Sequence, residues 1–151
     1  MDGSLYDTDF YTWTQAQAMA LRTRDIEALD VEHLAEEIEG LGRSDRRAIA
    51  HQFERLLLHL LKWCYQADRR TRAGKSWRSS IYQARSAITD LIEESPSLRD
   101  YPAQRLALAY RRARQQAAHQ TDLPLAAFPE TCPWPLAQVL EEEFWPGETQ
   151  G

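Results

Sequence analysis

Apolar side chains recur at every third or fourth position between residues 49 and 64, and this periodicity constrains the fold more than any other feature. Because an α-helix turns once every 3.6 residues, the spacing places these side chains on one face of a helix. A face so wide and so rich in leucine predicts a central helix that neighbouring helices cover. Its members are Ile49, Phe53, Leu56, Leu57, Leu60 and Cys64.

Capping residues and helix breakers divide the chain into five predicted helices, and no stretch shows the period-two alternation of a strand. The helices begin after Asp7 or Asp9, Asp30, Ser44, Ser76 and Asp100. The second helix is expected to stop at Gly40 and Gly42, and the fourth before Pro96. Between the third and fourth helices, residues 66–76 hold four basic residues and Gly74, which predicts a solvated connector.

These helices predict an all-α chain, in which residues 1–151 form a single domain around a mainly antiparallel bundle of about five helices. The core of the bundle is expected to cover about residues 7–121. A proline-rich tail, residues 122–151, is predicted to pack on the bundle and to contain a short acidic helix over about 136–143. The apolar residues expected to hold the tail are Leu125, Phe128 and Trp134.

Length and composition exclude several classes of protein. The chain has 151 residues, of which 43% are hydrophobic and 27% are charged, so it is too apolar for a disordered tail. Its longest nearly apolar run, residues 56–61, is far too short to cross a bilayer. The acidic N-terminus lacks the features of a signal peptide. We therefore expect a cytoplasmic protein with no membrane partner, whose Cys64 and Cys132 are reduced thiols.

Charge is distributed unevenly along the chain. Residues 1–42 carry two Arg against ten acids, a net charge of −8, whereas residues 43–118 carry sixteen Lys and Arg against seven acids, a net charge of +9. Residues 119–151 carry six acids and no Lys or Arg, a net charge of −6. The basic middle could bind nucleic acid, or the acidic ends of the same chain could cover it. The isoelectric point near 5.4 favours covering.

His59 lies beside the leucine-rich side of the predicted central helix, and several polar residues are candidates for contact with it. It forms a line with His51 and Arg55 at four-residue spacing, and the second predicted helix supplies Glu36 and Glu37. Di-metal bundles use two Glu-Xaa-Xaa-His segments, and the chain has none, so we predict no metal and no cofactor. His59 is then a histidine at the edge of the core, hydrogen-bonded to a glutamate. A metal-dependent enzyme that uses His59 with Glu37 is the alternative.

Arg114 and His119 have the Arg-X4-His spacing of the nuclease motif in HEPN-type bundles, and Arg112 gives the X6 version. In that class the histidine acts as acid or base on RNA phosphates. Such spacing also arises by chance in an arginine-rich helix. An RNA-cleaving bundle is therefore a second enzyme alternative.

Basic and aromatic residues also alternate in the fourth predicted helix. Arg78 and Arg85 are seven residues apart, with Trp77 and Tyr82 beside them. Such a surface could stack and hold a single strand of nucleic acid. The competing interpretation is that Trp77 and Tyr110 are core residues and that the arginines are solvated or paired to the acidic ends.

Six blocks of sequence resemble a known family. They are Tyr6–Trp13, Leu34–Gly42, His59–Trp63, Ser76–Arg78, Ser95–Leu98 and Phe128–Pro133. Together they resemble the bacterial family catalogued as domain of unknown function 29, from about Tyr6 to Phe144. The resemblance implies an all-helical single domain of a bacterial cytoplasm, and it implies no activity, substrate or cofactor. His119 lies outside the blocks. The candidate binding surface or pocket to which the blocks point consists of Glu36, Glu37, His59, Trp63, Trp77, Arg78 and Arg85.

We therefore expect a non-enzymatic helical module that binds another macromolecule. The expected partner is a protein, with a second copy of the chain among the candidates. Trp13, Trp134 and Trp145 are the aromatic residues expected to be exposed for such contacts. Nucleic-acid binding through the basic middle segment stays open beside the two enzyme alternatives.

Overall fold

The computed structural model describes residues 4–147, and it contains helices and loops but no strand in that range. This confirms the predicted all-α class. Short 3₁₀-helices at Ile26–Ala28, Ala67–Arg69, Pro96–Leu98 and Leu125–Ala127 connect or follow the longer helices. The α-helices are α1 (Leu5–Thr8), α2 (Phe10–Thr23), α3 (Val31–Tyr65), α4 (Arg70–Glu94), α5 (Tyr101–Thr121) and α6 (Leu136–Leu140).

The chain divides into two compact units, Met1–Ser44 and Asp45–Gly151. We call them the N-terminal unit and the C-terminal unit. The boundary falls within α3, so the N-terminal unit holds α1, α2 and the start of α3. The single domain expected for residues 1–151 stays a prediction, and its first three and last four residues lie outside the described range.

The helix predicted to begin at Asp7 or Asp9 and to end near Arg24 is α2. The carboxylate of Asp9 accepts a hydrogen bond from the backbone N–H of Thr12 at 3.1 Å, which satisfies a donor that the first turn leaves free. Arg24 ends the helix in the left-handed conformation, with φ of 57°. Polar capping at one end and a left-handed residue at the other therefore set both boundaries.

The stop predicted at Gly40 and Gly42 is wrong, because α3 continues through both glycines and through Ser44, which caps nothing. A glycine ends a helix when it adopts a positive φ, and neither glycine does so. Helical periodicity continues on both sides, and Glu39 and Arg43 form an ion pair of 3.8 Å at four-residue spacing. Two glycines lower helix stability by about 2 kcal/mol in total, which 35 residues of helix can sustain.

Three helices share the core of the C-terminal unit. Arg55 contacts Ser80 and Trp63 contacts Arg70, so the end of α3 runs antiparallel to α4. Arg46 lies over the ring of Tyr101 at the start of α5 and Lys62 contacts Gln120 near its end, so α3 and α5 run parallel. The predicted central face is confirmed, because the side chains of this face are almost entirely buried, apart from the half-buried Cys64. The fully buried members are Ile49, Phe53, Leu56, Leu57 and Leu60.

The predicted connector over residues 66–76 is wrong in most of its length, because α4 begins at Arg70 and not after Ser76. Arginine and lysine are good helix formers, so a basic segment need not be a loop. Arg70 also donates from Nε to the backbone carbonyl of Trp63 at 2.8 Å. That carbonyl lies in the last turn of α3, where no backbone N–H of the helix reaches it.

In the C-terminal tail Phe128 and Val139 are buried and Trp134 packs against the core, whereas Leu125, also predicted to hold the tail, is 43% exposed. The Tyr110 hydroxyl donates to the carbonyl of Pro129 at 2.6 Å, and burial raises the pKa of this tyrosine to about 12. The short acidic helix predicted over 136–143 is shorter: α6 ends at Leu140, and Glu141 is extended. Residues 148–151 of the predicted tail lie outside the described range.

Candidate functional site

A cluster of polar and aromatic side chains holds the helices of the N-terminal unit together. The carboxylate of Asp30 accepts a hydrogen bond from Trp13 Nε1 at 3.1 Å and contacts His33 Nδ1 at 2.6 Å. Gln17, which is buried, accepts from the backbone N–H of Asp30 and donates to the carbonyl of Ala28. Asp30 therefore joins α2, the following loop and the start of α3.

Tyr6 adds α1 to this cluster. Its ring stacks on His33 with centroids 3.9 Å apart, and its hydroxyl donates to Glu37 Oε1. The candidate residue Glu37 is thus engaged by a tyrosine, whereas its neighbour Glu36 is exposed. Tyr6 was not among the predicted site residues, although Tyr6, Phe10 and Trp13 recur at three- and four-residue spacing, which indicates an aromatic side of a helix.

The pKa values in this cluster shift in the directions that favour charge pairing. Hydrogen bonding to Asp30 raises the pKa of His33, and the same contact lowers the pKa of Asp30. The hydrogen bond to the carboxylate of Glu37 raises the pKa of Tyr6 to about 12. These shifts favour the protonated imidazole of His33, the carboxylate of Asp30 and the neutral hydroxyl of Tyr6, and the contacts that cause them act as a clamp on α1, α2 and the start of α3.

His59 is half-buried, and its Nδ1 lies 2.9 Å from the backbone carbonyl of Arg55 one turn earlier in α3. The predicted glutamate partner is therefore wrong. Burial lowers the pKa of His59, and the charges of Lys62 and Arg55 lower it further. A neutral ring with its proton on Nδ1 fits this contact, and Nε2 is left to the edge of the core.

Glu37 lies in the N-terminal unit and His59 in the C-terminal unit, 22 residues later in α3. Within residues 4–147, no three His, Cys, Asp or Glu side chains are placed to hold a metal ion.

Arg114 and His119 point to different sides of α5, because five residues turn a helix by about 140° beyond a full turn. Arg114 donates from Nε to the carbonyl of Phe128 at 3.1 Å and so holds the tail. His119 is exposed in the last turn of the helix. The two residues do not share a contact in the described chain.

Arg85 is the most strongly engaged arginine of the C-terminal unit. It is 4% exposed, and it donates to the carbonyls of Val139 at 2.9 Å, Glu142 at 3.2 Å and Phe144 at 2.9 Å. Burial lowers its pKa to about 10, so the guanidinium stays charged near neutral pH. It therefore fixes the backbone of the tail. The acidic side chains do not take this role: the two ion pairs within 4.0 Å in residues 4–147 both lie in the N-terminal unit.

The other members of the predicted surface divide between the core and the exterior. Trp63 and Trp77 are 2% and 8% exposed, whereas Arg78 is exposed and lies over the ring of Trp63. Trp145 packs on Trp63 with centroids 5.0 Å apart. Of the tryptophans expected to be exposed, Trp13 is buried, and Trp134 and Trp145 are half-buried against the core.

Large hydrophobic side chains are exposed mainly in the N-terminal unit. Of the twelve in the described chain, nine belong to this unit and three to the larger C-terminal unit. Their exposed fractions reach 73% at Tyr11 and 69% at Ile26 and Leu41. The nine are Leu5, Phe10, Tyr11, Met19, Leu21, Ile26, Val31, Ile38 and Leu41, and we call them together the apolar face, although Phe10 and Met19 lie on opposite sides of α2.

An open apolar groove of about 690 Å³ lies in the C-terminal unit between α5 and the tail. Leu106, Ala107 and Tyr110 supply its helical side, and Thr131 and Cys132 supply the side of the tail. Arg111 and Glu130 are the charged residues among those that line the groove.

Within the described residues, no helix is both long and apolar enough to cross a membrane.

These features define a helical protein with a clamped N-terminal unit and a bundle that holds a proline-rich tail. The chain matches the family described as "Domain of unknown function DUF29" over residues 5–145, which is nearly its whole length. It therefore belongs to this family, as the six sequence blocks predicted. No curated protein and no solved structure matches the chain.

Proposed function

We propose that this chain is a non-enzymatic protein-interaction module that associates with a second copy of itself through the apolar face of its N-terminal unit. The concentration of nine exposed large hydrophobic side chains in one unit carries the proposal. Single exposed hydrophobic residues are ordinary on protein surfaces, but a group of them marks a contact surface.

Part of the apolar face is a continuous side of one helix. Val31, Ile38 and Leu41 of α3 lie within about 80° of one another around the helix axis. They are 64%, 66% and 69% exposed. A helix side of this kind can lie in an apolar groove of a partner.

The charges of the chain favour a particular way of associating. Two N-terminal units would repel each other, because residues 1–42 carry a net charge of −8. Residues 43–118 carry +9, so the acidic unit of one copy complements the basic helices of the other. The groove beside Leu106 and Tyr110 offers apolar surface for Ile38 or Leu41. Reciprocal docking then closes a two-fold dimer, which contains the same contact twice.

The engagement of the candidate catalytic groups supports a non-enzymatic role. Glu37 accepts the hydroxyl of Tyr6, His59 contacts the carbonyl of Arg55, and Arg114 holds the carbonyl of Phe128. Each contact has a structural function within the fold.

Sedimentation velocity of the full chain tests the proposal. We expect a monomer–dimer equilibrium between about 1 and about 100 μM, with association weakened by salt because opposite charges contribute. The double substitution Ile38→Gln and Leu41→Gln removes exposed apolar surface only, and it should shift the equilibrium at least about tenfold towards monomer. Tyr82→Gln is the matched control, since Tyr82 is 58% exposed in the C-terminal unit, and it should leave the equilibrium unchanged.

A wild-type chain that stays monomeric throughout this concentration range would overturn the proposal. A dimer that the double substitution leaves intact would equally remove the apolar face from the contact. Far-ultraviolet circular dichroism of each variant establishes that the substituted chains keep their helices, so that a shift in mass reports association alone.

A further inference from the structure

A basic depression of about 520 Å³ lies beside the junction of α3 and α4, in the C-terminal unit. Trp63 from the end of α3 lines one side, and residues from the first three turns of α4 line the other. Three of its lining residues are cationic and the described chain contributes no acidic one. The complete lining is Trp63, Arg70, Thr71, Gly74, Lys75 and Arg78.

Two guanidinium groups are held at the depression by the same indole ring. The Cζ atoms of Arg70 and Arg78 lie 4.7 and 5.2 Å from the ring centroid of Trp63. Arg70 is fixed further, because its Nε donates to the carbonyl of Trp63. Nη2 of Arg70 lies beside Gly147 of the tail, so Nη1 is the terminal nitrogen that neither of these contacts uses. The indole nitrogen of Trp63 is itself buried with no acceptor among the described residues.

The cations at the depression have no carboxylate partner within 4.0 Å in residues 4–147. Arg70, Lys75 and Arg78 therefore concentrate positive charge around one opening. Like charges held close together repel, and a bound anion relieves that repulsion. This arrangement differs from Arg85, whose charge is satisfied by three backbone carbonyls.

The beginning of α4 adds polarity of the same sign. Its first turn has no acidic residue and no side-chain cap, and Arg70 and Thr71 belong to it. A helix N-terminus carries partial positive charge and free N–H groups, so acidic residues or anions are the usual neighbours. Here Arg69 and Arg70 occupy that position, with Asp68 of the preceding 3₁₀-helix as the nearest acidic residue in the sequence, and an anion bound there would be favourable.

We propose that this depression binds the phosphate group of a small phosphorylated molecule. Arg70 and Arg78 would hold the phosphate oxygens through paired N–H donors, with Lys75 and the Thr71 hydroxyl completing the contact. The volume exceeds that of a phosphate ion and suits a molecule of mononucleotide size. The inference is independent of the self-association, which uses the apolar face.

Isothermal titration at low salt distinguishes the sources of the phosphate group. The full-length chain is titrated with inorganic phosphate, with adenosine monophosphate and with adenosine. We expect saturable binding of the monophosphate that salt weakens, and no binding of adenosine. Equal affinities for inorganic phosphate and the monophosphate identify the ion itself as the ligand, whereas tighter binding of the monophosphate extends the site to the attached group.

A pair of substitutions of equal charge tests the location. Arg78→Gln removes a lining cation and should weaken monophosphate binding about tenfold. Arg72→Gln removes the same charge from the exposed side of the same helix, outside the depression, and should change binding less than about twofold. Equal losses in the two variants would show attraction by net charge and overturn the proposed site. Absence of saturable binding of either phosphate compound would overturn it as well.

Discussion

Arg85 of α4 donates from Nε to the carbonyl oxygen of Val139 at 2.9 Å, across 54 residues of sequence. Two more carbonyls, of Glu142 and Phe144, accept from its Nη atoms. The carbonyl of Val139 lies in the last turn of α6, where backbone carbonyls lack partners within the helix. One side chain therefore satisfies three acceptors and attaches the tail to the bundle.

Replacement of Arg85 by lysine should destabilise the chain by about 2 kcal/mol, although charge is kept. Lysine presents one compact ammonium group and cannot reach three acceptors that a planar guanidinium spans, so buried carbonyls lose their donors. Urea unfolding measures the loss, and hydrogen exchange should quicken in residues 139–144. Arg111→Lys on α5, an exposed arginine, is the control and should stay within about 0.5 kcal/mol of wild type. Equal stability of the two variants would show that the carbonyl contacts contribute nothing.

Gly42→Ala and Gly147→Ala should change the stability of the chain in opposite directions. Nothing lies within 4 Å of a Cβ atom at Gly42, which is inside α3, so Gly42→Ala should raise helix stability by about 1 kcal/mol. Gly147 has φ of +79°, and a Cβ there would meet Arg70 Nη2 at 3.1 Å, so Gly147→Ala should cost about 1 kcal/mol. Thermal unfolding followed by circular dichroism measures both. A loss of stability in Gly42→Ala would indicate a helix that ends at this glycine after all.

The contact between His33 and Asp30 makes stability depend on pH. The folded-state pKa of His33 is raised above 6.5, so its contribution is complete below pH 6.5 and is lost as pH rises through the folded-state value. The pKa of Asp30 is lowered below 3.8, so its contribution is present above pH 3.8 and is lost as pH falls through the lowered value.

His33→Gln should therefore lower the free energy of unfolding more at about pH 5 than at about pH 8.5, as urea unfolding at the two pH values can measure. His119→Gln, on the exposed end of α5, should change it by less than about 0.5 kcal/mol at both. An effect of His33→Gln that is the same at both pH values would contradict the charged contact.

Both cysteines should react slowly with iodoacetamide in the folded chain. Burial raises the pKa of the Cys64 and Cys132 thiols, and the Sγ atom of Cys132 lies 3.4 Å from the carbonyl of Trp134. Because the thiolate is the reactive form, alkylation near pH 7.5 should be at least about tenfold slower than in urea-unfolded chain. Mass spectrometry of timed samples gives both rates, with glutathione as the reference thiol. Native rates close to that of glutathione would be inconsistent with the raised thiol pKa values.

Periodicity and capping predict the elements whose determinants are local. The buried face from Ile49 to Leu60 follows from spacing alone, and α2 follows from Asp9 at its start. The wrong predictions of a helix stop at Gly40 and Gly42 and of a connector over residues 66–76 also have local causes. Gly42 and Gly74 carry conformational freedom that a loop can use, yet both lie inside helices, where each costs about 1 kcal/mol relative to alanine and the flanking helical residues sustain that cost.

The contacts of the candidate sites depend on residues far apart in sequence, and this is why spacing did not reveal them. Arg78 and Arg85 are equivalent in an i, i+7 pattern, yet one is exposed and the other is buried against the tail. The acceptors of Arg85 are carbonyls, which every residue possesses, so no side-chain pattern announces them. His59 likewise contacts the carbonyl of Arg55, where charge suggested a glutamate.

Because Arg85 holds the tail through backbone carbonyls, the side chains of the residues it contacts are free to change. Glu142 presents the same oxygen to Arg85 whatever side chain it carries, since only the peptide group is held. A substitution at Glu142 therefore keeps the carbonyl that Arg85 binds, although it removes a carboxylate whose charge favours the charged guanidinium. Side chains of this segment can in this sense vary while the backbone contact that holds the segment is kept.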